Sequence, residues 1–397
     1  MCSLRTEPKM SELGLSIPKR LSAIACYALV LFLVLGVVTG VSRAANPHPH
    51  HYILRSEPVH RRFDYYTHQV PTSGQGRKYG NRKVSTSPRL FSPHSVWNAP
   101  LADSAPLDPG SAAMVSGLNV EVAREEGLGI GPWISTDTKI YVVGPNQPTV
   151  LVRLDDPAAS WRAALQRAFR AVPIPPGAQP ASGPDADMTV WQPSSDRLWE
   201  CFEMRLLSDG WHAAWGGAIR KVSQNPGYYD ARAWPGASRS WGATATSLPD
   251  AAGVITLAEI KHGAIDHALA VNLPYPCQGV YSWPAQRTDG TGTAANCLPE
   301  GAHMRLNPRL DLRTLHLPRL VRKMAAAAQK YGMIVTDQTH WAIGFLIQSP
   351  SPTASNMFYS NGRPGLAGPF QGKWPNQLLS YFPWSAVQVL KMKVTHG

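Results

Sequence analysis

The sequence has no P-loop, GxGxxG fingerprint, GxSxG elbow, HExxH helix or EF-hand loop. The commonest nucleotide-binding, α/β-hydrolase, zincin and calcium-loop readings are therefore excluded. Cysteine is scarce, with five in 397 residues. Cys2 and Cys26 fall within the first 45 positions, so the rest of the chain holds only Cys201, Cys277 and Cys297. Surplus charge is scarce as well once its position is considered. Of 38 Lys and Arg and 26 Asp and Glu, residues 1–90 hold 13 and 4, leaving 25 and 22 beyond. A near-neutral remainder gives no reason to expect DNA or RNA as a partner, despite the overall +12.

The chain begins with a basic segment carrying Arg5, Lys9, Lys19 and Arg20, followed by an uncharged apolar run from Leu21 to Val41. Ser42, Arg43, Ala44 and Ala45 then place small residues at −3 and −1 of a cut after Ala44. This is the pattern of a secretory signal peptide. An apolar run of about 20 residues also suffices for a retained membrane anchor. Both readings of residues 1–45 send residues 46–397 out of the cytoplasm, and cleavage is preferred; the membrane is a partner only if the leader stays uncleaved. Residues 46–90 are basic, poor in large aliphatic side chains and without period, which reads as a disordered stalk. Its histidines, His48, His50, His51, His60 and His68, stand between prolines without fixed geometry, so no metal site is expected there.

From Phe91 the texture changes to short apolar runs punctuated by Gly, Pro, Asn and Asp. Strands are expected over 139–143, 149–153, 188–191, 198–204, 254–256, 264–273, 333–336 and 387–394. Helices are expected over 158–171 and 318–331, the second with Lys330 in its last turn and Gly332 as its terminating glycine. The expected fold of residues 91–397 is one mainly β domain, a β-sandwich or jelly-roll-like core with a few packed helices. Cys277 and Cys297 bracket a Gly- and Thr-rich loop, where a disulfide would close a long connection in an oxidising compartment. Three thiols allow three pairings. Cys201, in an aromatic run, reads as a buried thiol.

Six of the 13 tryptophans lie between Trp191 and Trp241. Flat rings with a polar edge suit stacking on sugar faces. Trp211, Trp234 and Trp241, beside turns, are the candidates for a groove, whereas Trp199 and Trp215 read as core. Asp187 precedes a strand, and Glu200 shares a strand face with Phe202 and Met204. A carboxylate among apolar neighbours is costly unless paired, and partial desolvation raises its pKa toward that of a general acid. Asp187 and Glu200 are the expected acid/base pair, although salt bridges to Arg205 or Arg220 would explain either one structurally. His267 lies in an apolar row near Glu259 and His262; on its own such a histidine is more often a core residue. Arg287 could hold an acidic sugar or polarise an oxyanion.

The stretch from about Asp185 to Gln348 resembles a group of uncharacterised secreted bacterial proteins. The resemblance rests on Trp241–Pro249 (WGATATSLP), Gly263–Leu269 (GAIDHAL), Trp283–Ala285 (WPA), Glu300–Leu306 (EGAHMRL) and Tyr331–Asp337 (YGMIVTD). It transfers no activity, but it implies that His267, Arg305 and Asp337 belong to recurring motifs. The resulting expectation is a secreted carbohydrate-active enzyme, a monomeric glycoside hydrolase acting on an extracellular polysaccharide without cofactor or metal. Asp187 and Glu200 would be catalytic, His267 and Asp337 supporting, and Arg287 and Arg305 substrate contacts. A polysaccharide lyase is a close variant, with His267 as base. A non-catalytic glycan-binding or cell-surface module is the alternative.

Overall fold

Alternation of β-branched and aromatic residues on either side of a Pro-containing turn makes the hairpin at the centre of one sheet. Strands β4 (Met188–Gln192) and β5 (Arg197–Phe202) pair antiparallel, with Met188 opposite Cys201 and Gln192 opposite Arg197. Pro193 opens the turn and Asp196, in the left-handed region at φ 52°, closes it. Strand β8 (Trp215–Arg220) adds antiparallel to β5, and β2 (Ile140–Val142) adds parallel to β4, giving the order β2-β4-β5-β8. Leu198, Trp199, Glu200 and Cys201 are all buried, so β5 is covered on both faces.

The computed structural model describes residues 89–155, 162–350 and 355–397. The leader, all but the last two residues of the expected stalk, and the start of the expected helix over 158–171 lie outside the described residues.

The larger sheet has six strands in the order β1-β13-β9-β12-β11-β16. These are β1 (Trp133–Thr138), β13 (Gly344–Gln348), β9 (Leu269–Leu273), β12 (Met333–Gln338), β11 (His303–Leu306) and β16 (Val387–Val389). The pairs β1–β13 and β9–β12 are parallel, and the other three are antiparallel. Period-2 alternation sends the two faces of its central strands into different cores. Leu269, Val271, Met333 and Val335 join a cluster with Phe345, Met324 and Trp384. Ala268, Ala270 and Ile334 join Trp97, Trp241, Tyr229 and the apolar residues of the four-stranded sheet. The small side chains on this second face permit close packing: a Cβ on Gly253 would come 2.4 Å from the nitrogen of Ala270.

Helix α4 (Arg319–Lys330) covers the first face with Leu320, Val321, Met324, Ala325, Ala327 and Ala328. It ends as expected, with Gly332 at φ 88° feeding β12. Helix α1 (Ser111–Leu128) was not anticipated; it packs on β16, and its Met114, Leu118 and Val122 are buried in the same cluster as Val387 and Val389. Helices α2 (Arg162–Ala168), α3 (Leu257–His262) and α5 (Pro375–Leu379) are short. A three-stranded sheet of β3 (Val152–Leu154), β7 (Gly210–Ala213) and β6 (Arg205–Leu207), and the pairs β10 (Val280–Ser282) with β17 (Val394–His396) and β14 (Tyr359–Ser360) with β15 (Arg363–Pro364), complete the fold. The domain is β-rich with five helices among the described residues.

Three expectations of local structure are corrected. The strand expected over 264–273 starts only at Leu269, because Gly263 at φ 129° ends α3 and residues 264–268 form a connection. Residues 254–256 contribute a single bridge, Ile255 with Ile347. The strand expected over 387–394 breaks after Val389, and the chain re-enters a different sheet at Val394. Cys277 and Cys297 form a disulfide with Cα atoms 5.2 Å apart, and Cys201 is a buried free thiol. Among the described residues, no helix is long and apolar enough to cross a membrane.

Candidate functional site

Carboxylates gather where the two large sheets meet. Asp185 and Asp187 flank Ala186, whose φ of 43° turns the chain sharply just before β4. The corner is strapped to the end of β5 by Glu203 N–H donating to Asp185 O at 2.7 Å and Met204 N–H to Ala186 O at 3.1 Å. Glu200 comes from β5 itself. Asp337 comes from β12, where the register with β9 shifts between Val335 and Asp337; such irregularities re-aim a side chain. Asp250, Asp289 and Glu300 arrive on loops.

The Trp241–Pro249 segment knits this junction together. Ala243 N–H donates to Glu200 Oε1 at 3.0 Å, and Asp250 N–H, just beyond the segment, donates to Oε2 at 2.8 Å. Ala245 N–H serves Asp337. Thr246 Oγ1 donates to Thr336 O at 2.7 Å. Arg287 donates to the carbonyls of Ser240, Gly242 and Thr244 at 3.2, 3.4 and 2.8 Å. These contacts hold the loop.

Burial is the leading electrostatic cause at the cluster, with like charges next. Burial lifts Asp187 well above the usual carboxylate range, reinforced by Asp250, Asp185, Asp337 and Glu200 in that order. Glu200 is pushed up to about 8 by burial and Asp250, against the pull of its two backbone donors. Asp250 rises to about 6, mainly through burial, with the Thr189 hydroxyl opposing. Burial also raises Asp185, while the nearby His340 favours its charged form. Asp187 Oδ1, Asp289 Oδ1 and Glu300 Oε1 are buried oxygens without a hydrogen-bond partner.

The expected site residues divide into two groups. Asp187, Glu200 and Asp337 do converge. Glu200 is nonetheless 0% exposed, and both of its oxygens accept backbone N–H groups, so it cannot touch a substrate. Gly217 opposite it makes room for the buried ring of Tyr229, which a Cβ would approach within 2.2 Å. His267 is engaged elsewhere: Nδ1 bonds Ala268 O at 2.8 Å and Nε2 faces Glu259 at 3.2 Å. Burial disfavours its charge, but Glu259 outweighs that and raises the imidazole pKa. Arg305 is 4% exposed, donating to Gln388 Oε1 at 3.0 Å and Ala102 O at 2.9 Å. Trp241 is 0% exposed, and Trp234 lies against Trp199 and under Arg197. Trp211 is partly buried on β7. Among the described residues, the exposed tryptophans are instead Trp283, Trp341 and Trp374.

Glu300, Asp250 and Asp185 escaped the sequence reading as site residues. Glu300 opens the EGAHMRL stretch and Asp289 stands in the disulfide-bounded loop, which are the only signals they give in one dimension. A cavity of about 570 Å³ lies apart from the carboxylates and is lined by Lys261, His262, Arg319 and Lys323 among others. No family model matches the chain, and no curated protein or solved structure matches it.

Proposed function

We propose that the chain is an extracellular carbohydrate-active enzyme of glycoside hydrolase type, with Asp187 as its proton donor. The observation that carries this reading is the convergence of Asp185, Asp187 and Asp337 at the sheet junction, with Asp187 Oδ1 buried and unpartnered. A carboxyl group kept protonated by burial can donate to a departing glycosidic oxygen. Asp185, at the more exposed rim and near His340, is the counterpart that activates water or steadies positive charge on the sugar. Asp337, whose own pKa is raised by burial and by Asp289, supports as a neighbouring acid of the cluster. Trp341, 60% exposed and four residues beyond Asp337, offers a stacking surface.

The sandwich-like reading draws on the two large sheets, which share one buried cluster, although several of their strand pairs are parallel. Export draws on the N-terminal sequence, and the disulfide is compatible with it. The lyase variant has less support, since His267 and Arg305 are both committed to internal contacts. A non-catalytic glycan-binding module is favoured by two observations, the exposed tryptophans and the basic cavity.

Incubation of the purified protein with neutral and acidic wall polysaccharides separates these readings. New reducing ends support the hydrolase, and absorbance from unsaturated uronides marks a lyase. Retention on a polysaccharide without either product replaces the enzyme reading with the binding module.

A further inference from the structure

Asp289, Glu300 and Asp337 present carboxylate oxygens that all lie within 4.8 Å of one another. Two opposed ligands of a cation with bonds of about 2.4 Å span about that distance. The donor set is entirely carboxylate oxygen, which selects a hard cation over zinc or copper. A second observation singles this group out from an ordinary acidic patch. Glu300 is 0% exposed, yet its Oε1 has no hydrogen-bond partner, and Asp289 Oδ1 is likewise buried and unpartnered. A sealed carboxylate oxygen without a donor is expensive, and two beside a third carboxylate are more so.

The backbone holds these groups in place independently of any ion. Asp289 N–H donates to Glu300 Oε2 at 3.2 Å, tying two of the three together. The loop carrying Asp289 is closed by the Cys277–Cys297 bridge and bonded to it by Gly292 N–H to Pro276 O at 2.7 Å. Gly301, at φ 79°, lets Glu300 sit against β10: a Cβ there would come 1.7 Å from Ser282 O. Asp337 is held by Gln338 N–H at 2.9 Å. Oxygens fixed before the ligand arrives are what a cation site requires.

We propose that Asp289, Glu300 and Asp337 form a binding site for a divalent cation of calcium class, beside Asp187. The inference deepens the proposed function by making that site metal-dependent, but cation binding itself does not require that reading to hold. The test is calorimetric titration of the chelator-stripped full chain with CaCl2, and separately with MgCl2, alongside thermal unfolding. One site per chain and a rise in melting temperature with CaCl2 are expected, with weaker MgCl2 binding. Asp289→Asn and Asp337→Asn should each weaken calcium at least tenfold while retaining the parent's circular dichroism. Absence of heat and of any melting shift up to 10 mM CaCl2 would overturn the proposal, as would unchanged binding in both variants. Asp187→Asn should bind calcium like the parent; if it does and no polysaccharide is cleaved by the parent, the cation site stands and the hydrolase reading falls.

Discussion

Removing the Cys277–Cys297 bridge by the double variant Cys277→Ala, Cys297→Ala tests the loop that carries Asp289. The two cysteines are 20 residues apart in sequence. Loop-closure entropy of about 11 cal/mol/K for that length gives about 3 kcal/mol at 25 °C, chiefly through the unfolded chain. The folded loop has ties of its own: Cys277 N–H donates to Leu298 O at 3.0 Å, and Gln278 N–H to Gly292 O at 2.8 Å. Secondary structure should therefore survive the substitution while the unfolding midpoint falls. For a domain of this size, about 3 kcal/mol corresponds to a drop of roughly 6 °C. Scanning calorimetry of parent and variant measures it, with thiol titration of the unfolded parent confirming that the bridge was intact. Buried Cys201 supplies the one thiol of the described residues that should react only on unfolding. Midpoints within 1 °C of each other would refute the assignment of stability to the bridge.

Glu200→Ala should cost about 2–6 kcal/mol in denaturant unfolding, since it strands the N–H groups of Ala243 and Asp250 at about 1–3 kcal/mol each. A loss below 1 kcal/mol would show that these bonds do not hold the loop. Glu125, 0% exposed, is raised to about 7 by burial against the pull of the Ile343 N–H bond at 2.8 Å. Because its folded pKa is raised, its contribution is full below about pH 4.5 and is lost as pH rises through 7. Glu125→Gln keeps the acceptor and removes that slope, so its unfolding midpoint should vary less between pH 5 and 8 than the parent's. An unchanged pH profile would contradict the assignment.

The sequence announced some of this fold and hid the rest for physical reasons. Helix α4 was legible from its Ala-rich middle and Gly332, and β4, β5 and β12 from their apolar runs. Helix α1 was not, because its buried stripe includes Ser111 and Glu125. The strand expected from Ala264 looked continuous in hydropathy, yet residues 264–268 serve a connection, which took His267 out of its apolar row. Asp187 and Glu200 were expected as an acid/base pair; they lie in one carboxylate cluster, but Glu200 is sealed by backbone donors and out of a substrate's reach. Pattern alone could not tell that Glu200 would be enclosed by Ala243 and Asp250, which lie more than 40 positions away. Glu300 and Asp289 meet Asp337 only through three-dimensional pairing of loops with β12. Tryptophan density was a poor guide: Trp241 fills the core, whereas the exposed Trp283 and Trp341 lie outside the dense region.

The most direct test of the central claim compares parent and Asp187→Asn for release of reducing ends from whichever polysaccharide the parent cleaves. The account predicts that the variant loses at least a hundredfold in rate while keeping the parent's melting temperature within about 2 °C. Undiminished turnover in a folded Asp187→Asn protein would contradict it.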